Sequence, residues 1–445
     1  MRLRHWLLIA LALVLFVWGA ERQGRQVNTD MNTTDQDAYR DYAKQLAQTH
    51  YQFVGDRNRM PIYPLIMAIF YREGMSDEAY FALGKQVGIG LALLVLGGTF
   101  YLFRRYTAPP DAIVATFVAA FTMLAYRAPF FQAEVLFYGL SFALFVLLLE
   151  LIRRPRWGVA VAAGVIGGLA HLTKASVLPA VVLCLVCLLV RAVGAFWSKR
   201  AREKQTLQWS NVVMPLVCGL LFLLVFLGVL YPYISTSKAR FGQYFYNVNS
   251  TFYMWYDSWD EVKQGTRAHG DRVGWPDMPA DQLPSLGKYW REHTVGQIVE
   301  RFGQGLKLIW DMTLASYGYA PFLLFYGLLA GLLVWQNGGR FGRAFGNAER
   351  IILLGFVVAY FGSYLLLYAW YLRIAYGNRF VLALFLPALF VLVWTISYAG
   401  RQKLAITFWK SELPATSASL TVLLMLIVYL ITLFPSQIAT MYGGL

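Results

Sequence analysis

Residues 135–152 read VLFYGLSFALFVLLLELI, and the basic run RRPR follows directly at 153–156. An α-helix rises 1.5 Å per residue, so about 20 mostly apolar residues are needed to cross the hydrocarbon layer of a membrane. The segment is close to that length and carries one charged residue, Glu150. It therefore predicts a transmembrane helix with a basic end.

Ten other segments have the same apolar character. With the first they cover residues 5–20, 84–103, 112–126, 135–152, 158–172, 175–193, 212–231, 317–335, 351–371, 380–397 and 415–434. The composition is 58% hydrophobic and 14% charged, which is too apolar for one soluble core with a hydrated surface. We predict an all-α polytopic membrane protein, a single domain over 1–445 with about 11 transmembrane helices and a range of about 10 to 12.

The formal net charge of +15 does not indicate a nucleic-acid-binding protein. Such proteins cluster basic residues on one folded face of a recognisable module, whereas here Lys and Arg lie mostly in short connectors between apolar runs. Cys184, Cys187 and Cys218 all lie inside apolar runs, so neither a disulfide framework nor a metal site with paired spacing is indicated. We expect these cysteines to be packing residues.

Basic residues recur in every second connector, and this sets the expected orientation because short basic loops stay in the cytoplasm. These connectors carry Arg2 and Arg4, Arg104 and Arg105, Arg153, Arg154 and Arg156, Lys199, Arg200, Arg202 and Lys204, Arg340, Arg343 and Arg350, and Arg401, Lys403 and Lys410. We predict a multi-pass protein of the plasma (bacterial inner) membrane with an uncleaved first helix and a cytoplasmic N-terminus. The long segments 21–85 and 232–316 then lie on the periplasmic or extracellular face, with interfacial helices within them. The first contains a half-length apolar run at 65–71, too short to span, and the second an amphipathic stretch at 289–310 with apolar positions at helical spacing.

Three acids follow the first span on the predicted outer face, in the run Thr34-Asp-Gln-Asp-Ala-Tyr-Arg-Asp41. A helix-like stretch covers 37–48. A carboxylate at a membrane surface can accept a proton from an incoming hydroxyl, or bind a metal ion that activates it. The alternative is that Asp35 caps the helix, while Asp37 and Asp41 share a solvated helical face.

The acidic run begins an ordered series of motifs that resembles the GT-C superfamily of integral membrane glycosyltransferases. The nearest likeness is to protein O-mannosyltransferases and to bacterial enzymes that transfer aminoarabinose-type sugars from polyprenyl phosphates. The motifs are Asp35-Gln-x-x-Tyr39, then Arg59-Met-Pro-Ile-Tyr-Pro64 before a short helix, Phe131-Gln-Ala-Glu134, Leu172-Thr-Lys174 after a Gly-rich helix, and Asn378-Arg-Phe380. Two positions depart from the family pattern: Gln36 replaces a second acid that many members have, and Phe380 replaces the more usual Tyr.

The resemblance implies a cell-envelope transferase that moves a sugar from a polyprenyl monophosphate to a lipid, glycan or protein acceptor, with inversion at the anomeric carbon. Asp35 would be the general base or would orient the acceptor, and Glu134 would be the second carboxylate. The cations expected to bind the donor phosphate are Arg379, Lys174, Arg57 and Arg59. The residues expected to contact substrate are Tyr39, Asp37, Arg127, Tyr63 and Asn378, with Arg127 as the partner of Glu134. No cofactor is certain; a divalent cation at Glu134 is an option, and Gln36 speaks against a metal held by the first motif.

Other interpretations stay open at this point. Each cation could be a snorkelling residue that contacts lipid headgroups, and the aromatic stretch 244–259 is interpreted as an interfacial belt in preference to a sugar-stacking surface. A glycan polymerase or ligase that uses polyprenyl diphosphates also has many spans and outer arginines, but it does not explain an acidic motif directly after the first span. A lipid or solute transporter would be expected to have paired broken helices, which the sequence does not indicate.

Overall fold

The computed structural model describes residues 3–200, 210–345, 348–375, 377–408 and 411–440. Within these residues the chain is almost entirely helical, with one antiparallel strand pair, β1 (Ala405–Phe408) and β2 (Ser411–Pro414). The helices are α1 (Leu3–Gln26), α2 (Gln36–Gln48), α3 (Ile62–Ala68), α4 (Asp77–Tyr106), α5 (Pro109–Ala119), α6 (Ala125–Arg127), α7 (Glu134–Arg153), α8 (Trp157–His171), α9 (Leu178–Arg200), α10 (Ser210–Phe241), α11 (Val248–Thr251), α12 (Trp259–Gln264), α13 (Leu286–Glu292), α14 (Val295–Ala315), α15 (Tyr319–Gln336), α16 (Gly338–Phe345), α17 (Ala348–Tyr371), α18 (Arg379–Leu382), α19 (Phe385–Arg401), α20 (Ala418–Thr432) and α21 (Phe434–Gln437). A π-helical turn, Ala120–Leu124, joins α5 to α6, and short 3-10 turns cover Ala175–Val177, Tyr253–Trp255 and Ala415–Ser417.

Eight segments of the described chain are long and apolar enough to cross a membrane. They are Asp77–Tyr106, Pro109–Arg127, Glu134–Arg153, Ala175–Trp197, Asn211–Phe241, Tyr319–Gln336, Ala348–Tyr371 and Ala415–Thr432. The shorter apolar helices α8 and α19, together with α1, account for the other three predicted spans. The prediction of an all-α, multi-pass membrane protein is confirmed.

The basic ends of several spans lie together at one end of the bundle. Arg191 donates to the carbonyl of Arg153 at 2.7 Å and forms an ion pair with Glu349. Arg401 donates to the carbonyl of Tyr106 at 3.2 Å. This is the arrangement that basic residues in every second connector predict. Arg2, Arg202, Lys204 and Lys410 lie outside the described residues.

The two long segments are shorter than predicted, because helices extend into them. Ser76 accepts a hydrogen bond from the backbone N–H of Ala79 at 3.2 Å and is followed by Asp77 and Glu78. This cap and the acidic first turn favour a helix start well before the apolar run begins. At the second segment, α10 continues through Pro232 to Phe241. The connecting regions therefore span 27–76 and 242–318, with helices inside each.

The short helix predicted at 65–71 is found at Ile62–Ala68 instead. It can begin before Pro64 because the first-turn backbone N–H groups of a helix have no partner within the helix, so proline costs no hydrogen bond there. Tyr63, Pro64 and Met67 are buried, and α3 packs against α2. This helix is therefore part of the protein core.

The amphipathic stretch predicted at 289–310 divides into α13 and α14. One face of α14 is buried against α17 through Ile298, Arg301, Gly305, Ile309 and Met312. A second face is apolar and exposed at Val295, Val299, Leu306, Trp310 and Leu314. A linker of three residues connects α14 to the span α15.

Candidate active site

Asp35 lies in a tight turn directly before α2. Thr34 and Asp35 both have a left-handed backbone, with φ of 59° and 71°, a conformation that costs roughly 1–2 kcal/mol per residue outside glycine. The Asp35 side chain makes no capping bond to α2. Its Oδ1 lies 2.5 Å from Nη2 of Arg59, and its Oδ2 accepts from Nη1 of Arg379 at 2.8 Å. The alternative that Asp35 caps the helix is therefore wrong.

The two guanidinium groups determine the ionisation of Asp35. Burial alone would raise the pKa of this carboxyl, but Arg59 and Arg379 outweigh burial and hold the pKa at about 2. Asp35 is therefore ionised throughout the physiological pH range. A carboxylate paired in this way is a weak base, and it gains basicity only when one of its cations is drawn away.

Glu134 is the first residue of α7, and its side chain is only 2% exposed. Its Oε1 accepts from Nζ of Lys174 at 2.9 Å and lies 3.9 Å from Nη1 of Arg379. Its Oε2 has no hydrogen-bond partner in the structure. Arg379 thus lies between the two carboxylates, and the cluster of two carboxylates with Arg59, Lys174 and Arg379 carries one net positive charge.

The charge cluster lies on the wall of a cavity of about 180 Å³. Backbone and side chains from α2, α7, α17 and α18 contribute to the wall, together with the connectors before α3 and α9. Part of the wall is apolar, formed by Met60, Met254, Leu367 and Phe380, and part is polar, formed by Asn58, Thr173, Ser176, Asn247, Asn249 and Ser250. We call this space the inner cavity.

A second cavity, lined by more charged side chains, adjoins the first at the same cluster, and we call it the outer cleft. It shares Asp35, Asn58, Arg59, Asn249, Tyr371 and Arg379 with the inner cavity. It continues along α2 past Asp37 and Asp41, and it reaches Trp259 and Arg272. Asp35 and Arg379 therefore line both spaces.

Six of the predicted site residues meet at the inner cavity: Asp35, Tyr39, Arg59, Glu134, Lys174 and Arg379. They come from positions up to 344 residues apart in the chain. Burial raises the pKa of Tyr39, so it presents a neutral hydroxyl group. Asp37 lines the outer cleft.

Arg57 does not join them. Its Nε donates to Ser237 at 2.8 Å, one Nη donates to Thr236 at 2.6 Å, and the guanidinium lies 4.0 Å from the ring centroid of Tyr233. All three partners are on α10, and Arg57 is 3% exposed. Its cationic group fastens the first connecting region to α10 and faces neither cavity.

Arg127, Tyr63 and Asn378 also lie behind the cavity walls. Arg127 donates to Oε1 of Gln132 at 3.2 Å, and the ion-pair partners of Glu134 are Lys174 and Arg379 instead. Arg127 therefore forms no direct ion pair with Glu134, although the two side chains lie close enough for their charges to interact. Arg127 is close to Glu134 in sequence, but Lys174 and Arg379, which are distant in sequence, lie closer to the Glu134 carboxylate in the fold.

Sequence reasoning missed a polar wall made by the second connecting region. The hydroxyl of Tyr371 donates to Oδ1 of Asn249 at 2.8 Å, and the amide of Asn249 donates to Oδ1 of Asn58 at 3.2 Å. The run Asn247-Val-Asn-Ser250 was the available signal, since it interrupts an aromatic stretch with three polar side chains.

The aromatic stretch around that run is mostly a small core of its own. Tyr246, Phe252 and Tyr253 are buried with Phe241, so the interpretation as a membrane-edge belt is wrong for them. Tyr244 and Phe245 are about half exposed.

Behind the cavity, a buried arginine supports the wall. Arg301 is fully buried, donates to Oδ1 of Asp257 at 2.9 Å, and donates to the carbonyl of Trp370 at 3.2 Å. Nε1 of Trp370 in turn donates to the carbonyl of Met254 at 2.7 Å. These bonds fix the end of α17, and thus Tyr371, against the second connecting region.

The residues present do not fit a divalent cation. Asp35 and Glu134 already face three cations, Arg59, Lys174 and Arg379, and a metal ion placed between the carboxylates would be repelled by all three. Within the described part of the chain, no three His, Cys, Asp or Glu side chains are grouped as a metal site needs. The chemistry of the cluster is that of an anion site with a carboxylate beside it.

No model of a protein family matches the chain, and no curated protein does. Among solved structures, the chain is similar to the archaeal oligosaccharyltransferase AglB from Archaeoglobus fulgidus, solved with an inhibitory peptide and a dolichol-phosphate. The TM-score is 0.49 and the identity 12% over 99% of this chain, which spans 57% of the AglB chain. It is also similar to ArnT from Cupriavidus metallidurans, with a TM-score of 0.33 and 13% identity for the form bound to undecaprenyl phosphate, over 88% of this chain and 77% of ArnT. For the apo form of ArnT the TM-score is 0.35 and the identity 14%, over 88% and 76%.

Proposed function

We propose that the chain is a GT-C-type glycosyltransferase that moves a sugar from a polyprenyl monophosphate to a hydroxyl group of a lipid, glycan or protein acceptor. The observation that carries the proposal is the position of Arg379, which contacts both Asp35 and Glu134 between two cavities. A site for sugar transfer from a lipid phosphate needs a cation for the phosphate, a carboxylate for the acceptor, and adjoining space for both substrates. This cluster supplies all three.

The donor would occupy the inner cavity. Its apolar residues Met254, Leu367 and Phe380 suit the first isoprene units of the lipid. Lys174 and Arg379 would bind the phosphate, Arg379 with its planar fork and Lys174 as a compact charge. The neutral polar side chains of Asn247 and Asn249 suit the hydroxyl groups of a sugar.

The acceptor would enter through the outer cleft and meet Asp35 at the shared wall. Its hydroxyl oxygen attacks the anomeric carbon, the bond between that carbon and the phosphate oxygen breaks, and polyprenyl phosphate leaves as an anion. Asp35 takes the proton of the hydroxyl, and the cations stabilise the departing phosphate. One displacement of this kind inverts the configuration at the anomeric carbon.

The arrival of the phosphate would also activate the base. Arg379 now neutralises Asp35, and a phosphate that draws Arg379 towards itself removes one of the two charges that keep the pKa of Asp35 low. The carboxylate becomes more basic only when a donor is present.

The test is to incubate the purified protein in detergent with a panel of radiolabelled polyprenyl monophosphate sugars and candidate acceptors. Release of polyprenyl phosphate, with transfer of the label, supports the proposal. Asp30→Asn is a matched control for Asp35→Asn. Asp30 is an exposed acid in the connector that carries Asp35, and its Oδ1 accepts only from the N–H of Asn32. Transfer from polyprenyl diphosphate sugars alone would contradict the proposal and favour a polymerase or ligase.

A further inference from the structure

Three amide side chains are buried where the connector that carries Asp35 meets the segment that leads into α7 and Glu134. Asn28 and Gln36 are fully buried and Gln132 is 3% exposed. All three lie outside the two cavities described above. A buried amide without hydrogen bonds would cost roughly 1–3 kcal/mol or more, so the bonds that these side chains make define their role.

Asn28 and Gln36 form a reciprocal pair. Nε2 of Gln36 donates to Oδ1 of Asn28 at 2.7 Å, and Nδ2 of Asn28 donates to Oε1 of Gln36 at 2.9 Å. Each of them then reaches across to the other connector. Oε1 of Gln36 accepts from the backbone N–H of Phe131 at 2.8 Å, and Nδ2 of Asn28 donates to the carbonyl of Pro129 at 2.7 Å.

Gln132 joins the same two segments in the opposite direction, from the segment before α7 to the Asp35 turn. Its side-chain amide donates to the carbonyl of Thr34, and its Oε1 accepts from Arg127 at 3.2 Å. Thr34 is one of the two left-handed residues of the Asp35 turn, so this bond stabilises a strained backbone from outside. Arg127 thereby acts on the site through Gln132.

We propose that Gln36 is a positioning residue: with Asn28 and Gln132 it clamps the Asp35 turn to the segment 129–134, so that Asp35 and Glu134 are held on either side of Arg379. Asp35 directly precedes α2 and Glu134 begins α7, and these amide bonds join the two chain segments directly next to both carboxylates. The proposal rests on the proposed function for its effect on turnover, but the clamp itself is a property of the fold.

The position requires an amide rather than a carboxylate. Glutamate at position 36 could accept from Phe131 and from Asn28, but it has no N–H group for Oδ1 of Asn28, so two acceptor oxygens would face each other. It would also bury a third negative charge beside Asp35 and Glu134. This gives a physical reason for glutamine at the position where many GT-C enzymes carry a second acid, and it predicts that Gln36→Glu is harmful although the two residues have the same size.

The first measurement is hydrogen exchange of the segment 129–134 in the parent, in Gln36→Glu and in Gln48→Glu. Gln48 is the exposed last residue of α2 and serves as the matched control. We expect faster exchange of the segment in Gln36→Glu only. This measurement needs no substrate, so it tests the clamp even if no sugar donor is turned over.

The second measurement is turnover on an identified donor. We expect kcat of Gln36→Glu to fall about a hundredfold, the order of loss that follows from a small misplacement of catalytic groups. KM for the donor should change little, because Arg379 and Lys174 are intact. A protonated glutamic acid can donate to Asn28 as glutamine does, and burial raises the pKa of the new carboxyl. The ratio of variant to parent kcat should therefore rise as the pH is lowered.

Parental kcat with unchanged exchange in Gln36→Glu would overturn the proposal. So would a loss of kcat with unchanged exchange and no recovery at low pH, since Gln36 would then act on substrate directly. If Gln36→Glu does not fold, Asn28→Asp replaces it: it can still accept from Nε2 of Gln36, but it loses the donations to Oε1 of Gln36 and to the carbonyl of Pro129. Faster exchange of 129–134 in that variant supports the clamp, and unchanged exchange contradicts it.

Discussion

Asp35→Asn should bind polyprenyl phosphate more tightly than the parent protein, although it should lose turnover. In the resting site, Asp35 holds Arg379 at 2.8 Å and Arg59 at 2.5 Å, and a lipid phosphate must compete with that carboxylate for Arg379. Removing the charge of Asp35 removes the competitor. It also raises the net positive charge that the phosphate meets by one.

The magnitude follows from the ionisation of Asp35. A pKa lowered from 3.8 to about 2 corresponds to roughly 2 kcal/mol of favourable interaction with the charged form. The side chain is 34% exposed, so solvent screening reduces the usable part to about 1 kcal/mol, and Arg59 keeps some of it. We expect polyprenyl phosphate to bind to Asp35→Asn up to about fivefold more tightly.

Titration of polyprenyl phosphate into detergent-solubilised protein, followed by calorimetry or by intrinsic tryptophan fluorescence, measures this directly. Asp30→Asn should bind as the parent does. Higher salt should reduce the difference between Asp35→Asn and the parent, because screening weakens the competition. Weaker binding to Asp35→Asn than to the parent would refute the reasoning, since it would make Asp35 a contact of the phosphate or of a bridging metal ion.

Three further outcomes are expected. Arg379→Ala should weaken donor binding and Arg379→Lys should recover only part of it, because a point charge cannot replace two parallel hydrogen bonds; parental binding by both variants would remove Arg379 from the phosphate site. Arg57→Met should lower the melting temperature, at a cost of about 1–3 kcal/mol for the partners left unpaired on α10, with donor affinity of the folded protein unchanged; a selective loss of donor affinity would return Arg57 to the phosphate site. Cysteines placed at Ser285 and Ser198 should be labelled from opposite faces of the membrane, and labelling of both from one face would contradict the proposed topology.

The spans and the main site residues could be predicted because each depends on a local signal. Apolar length and basic ends locate the helices, and the ordered motifs lead to Asp35, Glu134, Lys174 and Arg379. What the motifs do not contain is which partner each side chain meets. Arg57 and Arg59 are two residues apart with the same predicted location, but one faces α10 and the other faces Asp35.

The turn at Asp35 shows the same limit. An acid before a helix is the usual sign of an N-cap, and only the positive φ values at Thr34 and Asp35, set by contacts such as that of Gln132, turn the carboxylate towards Arg379. The clamp joins Asn28 to Pro129 and Gln36 to Phe131, and each pair is about a hundred positions apart in the chain. Contacts of that range depend on how the helices pack, so sequence reasoning did not find them.

The most direct test of the account is the turnover of Asp35→Asn on an identified polyprenyl phosphate sugar. Assistance by a general base is worth about a hundredfold to ten-thousandfold in rate. Asparagine keeps the size of the side chain and tolerates the left-handed backbone at position 35, so we expect the variant to fold with a loss of about 1 kcal/mol from its ion pairs, and turnover to collapse. Asp37→Asn and Asp41→Asn, on the wall of the outer cleft, should lose far less. Near-parental turnover of Asp35→Asn would contradict the account and would move the catalytic role to Glu134.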